Sequence, residues 1–394
     1  MSGLILVLNS GSSSLKFSVV DHSADRAVFE GLAEQLGVEA AKITFKSATG
    51  QREPQTMPGI DHHQALVAVF DKLSERKLMQ DIIAIGHRVV HGGEFFNQPT
   101  LITEEVIAKI RACEPLAPLH NPAHLIGILG AREAYPNLPQ VAVFDTAFHQ
   151  TMPPKAFLYA VPIALYEQHG VRRYGFHGTS HEYVSGETIK RLQLDPEDSG
   201  VIVAHLGNGA SVCAVANGKS MDTSMGLTPL EGLVMGTRSG DIDAGVLQYL
   251  HNTCGMALED IMDMLNKRSG LLGLSNQSND MRSLCELAST GDAAATTAIE
   301  VFCYRLAKYI AAYSVALERL DAIVFTGGIG ENARPVRARV AALLKNLGVS
   351  LSDELNQENG DPRGVISNPQ SRIPLLVIPT QEELMIARAT FSSI

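Results

Sequence analysis

The sequence predicts an α/β protein built of two domains with related topology. Its 394 residues exceed one ordinary domain, which is roughly 100–200 residues long. Short apolar segments typical of strands alternate with amphipathic segments typical of helices. A strand–turn–strand unit near the start returns about half a chain later. Together these observations predict two related domains that face each other, with a ligand site in the cleft between them.

The repeated unit is a pair of apolar strands joined by a polar turn. Its first copy spans residues 4–20, with the turn Asn9-Ser10-Gly11-Ser12-Ser13-Ser14 between the strands. Its second copy spans residues 201–215, around the turn Gly207-Asn208-Gly209. A third strand, residues 322–325, continues into a glycine-rich turn over residues 326–332. We therefore expect three polar or glycine-rich turns, each at the end of a buried strand.

Amphipathic helices are predicted between these strands. One runs from His62 to Met79, and a second is capped by Thr103. A third begins at Pro335 and stops at Gly348. The segment from Asp292 to Leu320 is long and apolar on more than one side. Such a helix is either central to a domain or packed at a subunit interface.

Composition and charge exclude several classes of protein. Hydrophobic residues make up 45% of the chain and charged residues 19%, which excludes a disordered chain. The formal net charge of −10 argues against nucleic acid or anionic membrane as partners. Five widely spaced cysteines fit reduced thiols, and no segment reaches the roughly 18 apolar residues of a membrane helix. Since the N-terminus lacks the basic start of a signal peptide, we expect a cytoplasmic protein.

Turns rich in glycine and serine expose the backbone N–H groups and hydroxyls that phosphate oxygens require. Lys16 adds a cation beyond the first turn. A single turn of this kind is more often a plain hairpin, but the repetition of such turns indicates a nucleotide site. None matches G-x-x-x-x-G-K-[ST] or a strand–turn–helix G-x-G-x-x-G, so neither a P-loop nor a Rossmann site is predicted.

Two arginines and one carboxylate stand where an anion could be held. Arg88 lies in Gly86-His87-Arg88-Val89-Val90-His91-Gly92-Gly93, and Arg238 lies in Gly236-Thr237-Arg238-Ser239-Gly240-Asp241. Each is a candidate clamp on a transferring phosphoryl group, or else half of an interdomain salt bridge. Asp145 ends the apolar strand 141–144, where carboxylates often line α/β active sites; the alternative is a helix cap.

Histidines recur at the four-residue spacing of a zinc-binding helix. The pairs are His87/His91, His120/His124 and His177/His181. Pro122 and Gly178 interrupt helical geometry and no H-E-x-x-H occurs, which argues against zinc. We interpret these histidines as neutral hydrogen-bond donors to an anionic ligand, or as buried structural residues.

These segments, taken in order, closely resemble the acetate kinase family. The matching segments are Asn9-Ser10-Gly11-Ser12-Ser13-Ser14-Leu15-Lys16, residues 86–93, Phe144-Asp145-Thr146-Ala147-Phe148-His149, Gly175-Phe176-His177-Gly178-Thr179-Ser180-His181, His205-Leu206-Gly207-Asn208-Gly209, residues 236–243 and Gly327-Gly328-Ile329-Gly330-Glu331-Asn332. The resemblance implies two domains of actin/Hsp70-like (ribonuclease H-like) topology around a nucleotide cleft, usually in a homodimer. It places the first domain at 1–146 plus 382–394, and the second, with the dimer interface, at 147–381.

The resemblance also implies a role for individual residues. It implies catalytic roles for Arg88, Asp145, His177 and Arg238, and a first phosphate loop at Asn9, Ser12, Ser14 and Lys16. It implies a second phosphate loop at His205, Gly207, Asn208 and Gly209, and an adenosine site at Asp280, Arg282, Gly328, Ile329, Gly330 and Asn332. Asn9 and Glu382 match magnesium-associated residues, with Mn²⁺ as an alternative ion. Arg88 with the apolar Val90, Leu119, Phe176 and Pro229 matches the substrate pocket.

The implied reaction is reversible in-line transfer of the γ-phosphoryl group of ATP to acetate, giving acetyl phosphate and ADP. Asp145 would then orient an arginine or metal-bound water, or act as a proton acceptor. The sequence departs from the family at Ala244, where proline is common, and at Gln381, where Asn or Asp commonly precedes the Glu-Glu pair. A competing class is an ATP-driven binding protein. It would not require Arg88 and Arg238, and the chain lacks a separate peptide-binding domain.

Overall fold

The computed structural model describes residues 3–11, 13–118 and 120–394 of the chain. These residues form two compact units, each with a mixed β-sheet and packed helices. Unit 1 comprises Met1–Phe148 and Gln381–Ile394, and unit 2 comprises His149–Thr380.

Unit 1 is built on a sheet whose strands come from the first part of the chain. The strands are β1 (Leu4–Ser10), β2 (Ser14–Asp21), β3 (Arg26–Glu34), β4 (Lys42–Ser47), β5 (Arg52–Thr56), β6 (Ile82–Val89), β7 (Thr100–Leu101) and β8 (Gln140–Phe144). The helices along this part are α1 (His62–Glu75), α2 (Glu104–Ala112) and α3 (Asn121–Ala134). The strand order is β5-β4-β3-β2-β1-β6-β8-β7.

Unit 2 contains a shorter sheet and more helices. Its strands are β9 (Gly200–Leu206), β10 (Ala210–Ala216), β11 (Lys219–Thr223), β12 (Ala322–Thr326) and β13 (Leu375–Val377). Its helices are α4 (Pro154–Phe157), α5 (Ala164–His169), α6 (Gly178–Leu192), α7 (Ala244–Cys254), α8 (Leu258–Lys267), α9 (Gly270–Ser275), α10 (Met281–Ser289), α11 (Ala293–Tyr313), α12 (Gly327–Asn332), α13 (Arg334–Leu343) and α14 (Asp353–Gln357). The chain then returns to unit 1 and ends in α15 (Glu382–Ser392).

The two sheets share one arrangement of strands. Unit 1 contains the order β3-β2-β1-β6-β8, and unit 2 has the order β11-β10-β9-β12-β13. In both, the first three strands pair antiparallel and the next two pairings are parallel. This confirms the predicted α/β class and the related topology of the two halves. The repeated strand–turn–strand units are the hairpins β1–β2 and β9–β10.

Burial explains why these segments form central strands. Every residue of β9 and of β12 is buried, as expected for strands covered on both faces. In unit 1, α15 covers one face of the sheet, where Ile386 and Ala387 pack against Ile5 and Val141. The helix that ends the chain therefore completes the core of the unit that begins it.

Several helices end earlier than hydrophobic periodicity predicts. α1 stops at Glu75 rather than Met79, because Lys77 adopts a left-handed conformation with φ 57°. α11 stops at Tyr313 rather than Leu320, and Val315 just beyond it is 88% exposed. α13 covers Arg334–Leu343 instead of extending to Gly348.

The segment predicted as a glycine-rich turn, residues 326–332, contains the short helix α12.

The cysteines and the hydropathy of the helices can also be compared with the predictions. Each of the five cysteines is a free thiol. No helix within the described residues is long and apolar enough to cross a membrane.

Candidate active site

Arg88 and Asp145 form a close ion pair within unit 1. Arg88 lies near the end of β6, and Asp145 directly follows the adjacent parallel strand β8. Arg88 Nε donates to Asp145 Oδ1 at 2.8 Å, and Nη2 donates to Oδ2 at 2.6 Å. The Asp145 side chain is 2% exposed and that of Arg88 is 20% exposed. Asp145 therefore binds arginine rather than capping a helix, and Arg88 pairs inside its own unit rather than between domains.

The surroundings of Arg88 keep it charged and its histidine neighbours neutral. Burial alone would lower the pKa of Arg88, but Asp145, Glu382 and Glu383 together raise it above its usual value. Burial lowers the pKa of His87 to about 4. Burial, together with the charge of Arg88, holds the pKa of His124 well below its usual range. The positive charge at this place is thus carried by arginine.

The first predicted phosphate loop lies at one end of the same sheet. Asn9 in β1 is opposite Lys16 in β2. The Lys16 ammonium forms an ion pair with Glu383 of α15, and Glu382 is the first residue of that helix. Ser14 begins β2, whereas Ser12 lies outside the described residues.

The side-chain oxygens in this region could bind a hard cation such as Mg²⁺ only if a bound substrate supplied further ligands. Among the described residues, no group of three His, Cys, Asp or Glu side chains is placed to hold a metal ion. Mg²⁺ commonly uses one or two protein carboxylates and takes its other ligands from water and phosphate. The side chains of Glu382 and Asn9 offer oxygen atoms of the type that Mg²⁺ prefers, and their assignment to a metal stays a prediction.

His177 and Arg238 converge on the second predicted phosphate loop, in unit 2. This loop, residues 207–209, joins β9 to β10. A Cβ atom on Gly209 would lie 3.5 Å from His177 Nε2 and 3.6 Å from Arg238 Nη1. Arg238 Nη1 donates to the carbonyl oxygen of Pro229 at 3.0 Å. No carboxylate lies within ion-pair distance of Arg238 in the part of the chain that the structure describes.

The imidazole of His177 is held on several sides. Its Nδ1 is hydrogen-bonded to the Ser211 hydroxyl at 2.9 Å, and its ring stacks on His205 with centroids 4.3 Å apart. His205 Nδ1 is in turn hydrogen-bonded to Ser180 at 2.8 Å. The backbone of His177 is left-handed, with φ 57°, just before α6. Such a conformation is uncommon outside glycine and is often found at functional sites.

A cavity of about 800 Å³ in unit 2 adjoins this loop. Predicted residues that line it are Gly207, Asn208, Asp280, Arg282, Gly328, Ile329 and Asn332. Lining residues that the sequence analysis missed are Asn279, Met281, Cys285, Ala333 and Pro335. Each of these missed residues lies within three positions of a predicted one, so its closeness to a motif in the sequence could have identified it.

Two residues of the predicted adenosine site, Asp280 and Gly330, form hydrogen bonds within the protein. Asp280 caps α10 by accepting N–H groups from Arg282 and Ser283. Gly330 is buried, and its carbonyl oxygen accepts from Arg337 at 2.9 Å.

The four apolar residues of the predicted substrate pocket are distributed along the chain. Val90 is buried in unit 1, Phe176 is buried in unit 2, and Pro229 also belongs to unit 2. Leu119 lies outside the described residues. The substrate pocket therefore stays a prediction.

Neither departure from the family pattern disturbs the local backbone. Ala244 is the first residue of α7, a position that favours proline, and the helix is capped instead by Asp243. Gln381 precedes α15 without a side-chain cap bond.

Comparison with known proteins places the chain in a family. The model of the acetokinase family matches residues 4–388. The acetate kinase of Deinococcus radiodurans is 55% identical over 98% of this chain and 96% of that protein. A solved propionate kinase from Francisella tularensis is 47% identical, with a TM-score of 0.96 and full coverage of both chains, 100% and 100%.

Acetate kinase from Porphyromonas gingivalis is 42% identical, with a TM-score of 0.93 over 99% of each chain. These matches span both units and agree with the order of motifs in the sequence. They also confirm the predicted actin and sugar kinase-like fold class. The chain thus belongs to the acetokinase family.

Proposed function

We propose that this protein is an ATP:acetate phosphotransferase, which transfers the γ-phosphoryl group of ATP reversibly and directly to acetate. The observation that carries the proposal is the convergence of Arg238 and His177 Nε2 on the Gly209 loop, beside a cavity of about 800 Å³. A partly buried guanidinium without a carboxylate partner is stabilised by an anionic ligand. A nucleotide in the cavity would supply that anion.

The cavity is the proposed adenosine site, because five of its predicted residues line it together with Gly207 and Asn208. Its volume falls in the usual range for small-molecule sites, roughly 300–1,000 Å³. The loop around Gly209 would then face the phosphates through its backbone N–H groups. His177 and Arg238 would hold oxygens of the transferring group.

The proposed chemistry needs charge neutralisation rather than a base. Acetate is already ionised at neutral pH, so the protein must position two anions that repel each other. Both oxygens of Asp145 accept hydrogen bonds from Arg88, which favours an orienting role for Asp145. Arg88 would present its guanidinium to the carboxylate and the phosphoryl group.

Glu382 and Asn9 would hold a magnesium ion, with Mn²⁺ as the alternative. When bound, such an ion neutralises charge on the β- and γ-phosphates. Lys16 would add positive charge at the first phosphate loop, together with Ser12 and Ser14.

Substrate size would be set by Val90, Leu119, Phe176 and Pro229, the proposed pocket for the methyl group. One methylene is worth about 1–3 kcal/mol in an apolar pocket, so acetate should exceed propionate by about 10- to 200-fold in kcat/KM. Val90→Ala should raise propionate relative to acetate. An unchanged ratio of the two kcat/KM values in this variant would contradict the pocket assignment.

A coupled assay of ADP formation tests the activity directly. ADP should form only when a carboxylate is present, with acetate used best among acetate, propionate and butyrate. Acetyl phosphate and ADP should give ATP in the reverse direction. Slow ADP release that is indifferent to the carboxylate would instead support an ATP-driven binding protein.

We also propose the domain bounds 1–146 plus 382–394 and 147–381, which lie within two residues of the bounds of the two compact units. We propose further that the protein works in the cytoplasm as a homodimer. Five free thiols support a reducing compartment. Helix α7 supports self-association, because none of its residues is buried although it carries Val246, Leu247, Tyr249 and Leu250. An apolar helix of this kind gains stability when a second copy covers it.

A further inference from the structure

The Ser211 hydroxyl lies between two imidazoles in unit 2. Its Oγ is 2.9 Å from His177 Nδ1 and 2.7 Å from His181 Nε2. Ser211 and His181 are both 0% exposed. Water therefore does not compete for these hydrogen bonds, and the three side chains form a continuous chain.

A hydroxyl has one hydrogen, so Ser211 can donate to only one of the two rings. The other ring must donate to the Ser211 oxygen. Both rings could also donate to the two lone pairs of the Ser211 oxygen, but the buried hydroxyl hydrogen would then have no acceptor among the described residues. Two arrangements remain: either His181 Nε2–H donates to Ser211 and Ser211 donates to His177 Nδ1, or every bond runs in the opposite direction. The two arrangements place the proton of each ring on different nitrogens.

The surroundings of His181 decide between these arrangements. Burial, with the neighbouring His149 and His205, holds the pKa of His181 well below its usual range, so the ring is neutral and has one proton. Its Nδ1 is buried and has no hydrogen-bond partner among the described residues. Either tautomer leaves this nitrogen unsatisfied, but a buried N–H donor without an acceptor is disfavoured more than a buried acceptor without a donor. The proton therefore lies on Nε2 and is donated to Ser211.

This direction determines the tautomer of His177. Ser211 donates to His177 Nδ1, which must then lack a proton. The proton of His177 is left on Nε2, the atom that faces Gly209 and Arg238.

We propose that Ser211 and His181 are positioning residues that hold His177 as its Nε2–H tautomer, so that the ring donates a hydrogen bond to the transferring phosphoryl group. The identity of that acceptor rests on the proposed function. The tautomer itself rests on the hydrogen-bond chain and on the burial of His181, both within unit 2.

The tautomer can be measured without any activity assay. ¹⁵N spectra of the imidazoles in histidine-labelled protein, assigned with His177→Gln, should show His177 protonated on Nε2 and unprotonated on Nδ1. Ser211→Ala should produce a mixture of tautomers. The partner of an imidazole in a metal site contributes about 10- to 100-fold to activity, and we expect a loss of the same order in kcat here, with little change in KM.

Ser220→Ala is the matched control. Ser220 is also 0% exposed, and its hydroxyl is hydrogen-bonded to a different imidazole, His149 Nδ1, at 2.8 Å. This variant loses the same kind of buried bond and should leave the His177 signals unchanged. His181→Gln and His181→Leu form a second test, which does not depend on folding of Ser211→Ala. Glutamine can still donate to Ser211 and should preserve the tautomer, whereas leucine cannot.

Several outcomes would overturn the proposal. One is a folded Ser211→Ala protein with wild-type kcat and an unmixed Nε2–H tautomer. Another is an equal loss of kcat in Ser211→Ala and Ser220→Ala with unchanged His177 spectra, which would make Ser211 merely structural. If the wild type does not phosphorylate carboxylates, the proposed function fails, but the spectra still decide the tautomer.

Discussion

Arg88 and Arg238 carry the same charge in opposite surroundings. Arg88 is held by both oxygens of Asp145, whereas Arg238 donates to the carbonyl oxygen of Pro229. The first arginine is therefore part of the structure even without a ligand. The second arginine donates only to neutral acceptors, so its charge is available to an anion.

Alanine at either position should reduce kcat by at least about 100-fold, since a preorganised charge donor is worth about 2.7–4 kcal/mol. The free energy of unfolding should fall more in Arg88→Ala than in Arg238→Ala. Arg88→Ala leaves Asp145 buried without its partner, which typically costs about 3–5 kcal/mol, whereas Arg238→Ala leaves no carboxylate unpaired. Urea unfolding and kcat measured on both proteins check this. Equal destabilisation would contradict the assigned surroundings.

Asp145→Asn tests whether this residue orients or accepts a proton. Asparagine retains only one acceptor oxygen toward Arg88 and presents an NH₂ group where Nη2 donates, so we expect most activity to be lost. The Mg²⁺ dependence should shift as well. The pH–rate profile should keep its acidic limb, because no base is removed. Wild-type kcat with unchanged metal dependence would argue against both roles.

Buried His87 should make stability depend on pH. Its pKa falls from 6.5 to about 4 on folding, chiefly through burial, so the unfolded chain binds the proton more readily. The stability that the neutral His87 ring contributes is fully present above pH 6.5. It is lost as the pH falls toward 4, and the free energy of unfolding then decreases by about 3 kcal/mol in total. In urea unfolding at pH 7 and pH 5, His87→Gln should lose less stability on acidification than the wild type. Exposed His63→Gln should follow the wild type.

Among the elements, the C-terminal helix α15 depends on a close approach to β6. A Cβ atom on Gly86 would overlap the Thr390 hydroxyl and lie 2.9 Å from Ile386 Cγ2.

Arg337 of α13 connects the two neighbouring helices α12 and α14. It is 0% exposed, and its guanidinium donates to carbonyl oxygens of Gly330 and Glu331 in α12 and to Asn356 in α14.

Gly86→Ala should therefore destabilise unit 1. Overpacking of this kind typically costs about 1–3 kcal/mol, and the free energy of unfolding measures it. Gly186→Ala is the matched control, because a Cβ atom there, inside α6, meets nothing within 4 Å. That variant should gain about 0.5–1 kcal/mol from helix propensity. A stable Gly86→Ala protein would mean that α15 packs less closely than described.

For the whole molecule, the exposed apolar helix α7 leads to a prediction about assembly. Tyr249, at its centre, is 60% exposed. The wild type should have twice the chain mass of 42.3 kDa in light scattering, and Tyr249→Glu should weaken the dimer by placing a charge in an apolar interface. Val67→Glu, at a 44% exposed position of α1, should remain dimeric. A wild-type monomer would exclude this use of α7.

Local patterns were sufficient to predict much of the architecture. Continuous apolar runs predicted β1, β9 and β12, because central strands are buried on both faces. Thr103 was predicted as a cap and accepts the N–H group of Val106. Motif order predicted the family, since each motif is a short segment whose chemistry is visible in the sequence.

Contacts between distant segments had to come from the folded chain. Arg88 and Asp145 meet because β6 and β8 pair in parallel, and their capping or interdomain alternatives could not be excluded before that pairing was known. The ends of α1 and α11 were misplaced because apolar periodicity continues past the residue where the backbone turns. Ser211 is a single serine near the start of β10 and belongs to no motif of its own. Its role depends on its hydrogen bonds to His177, just before α6, and to His181, within α6, and these distant contacts cannot be deduced from spacing along the sequence.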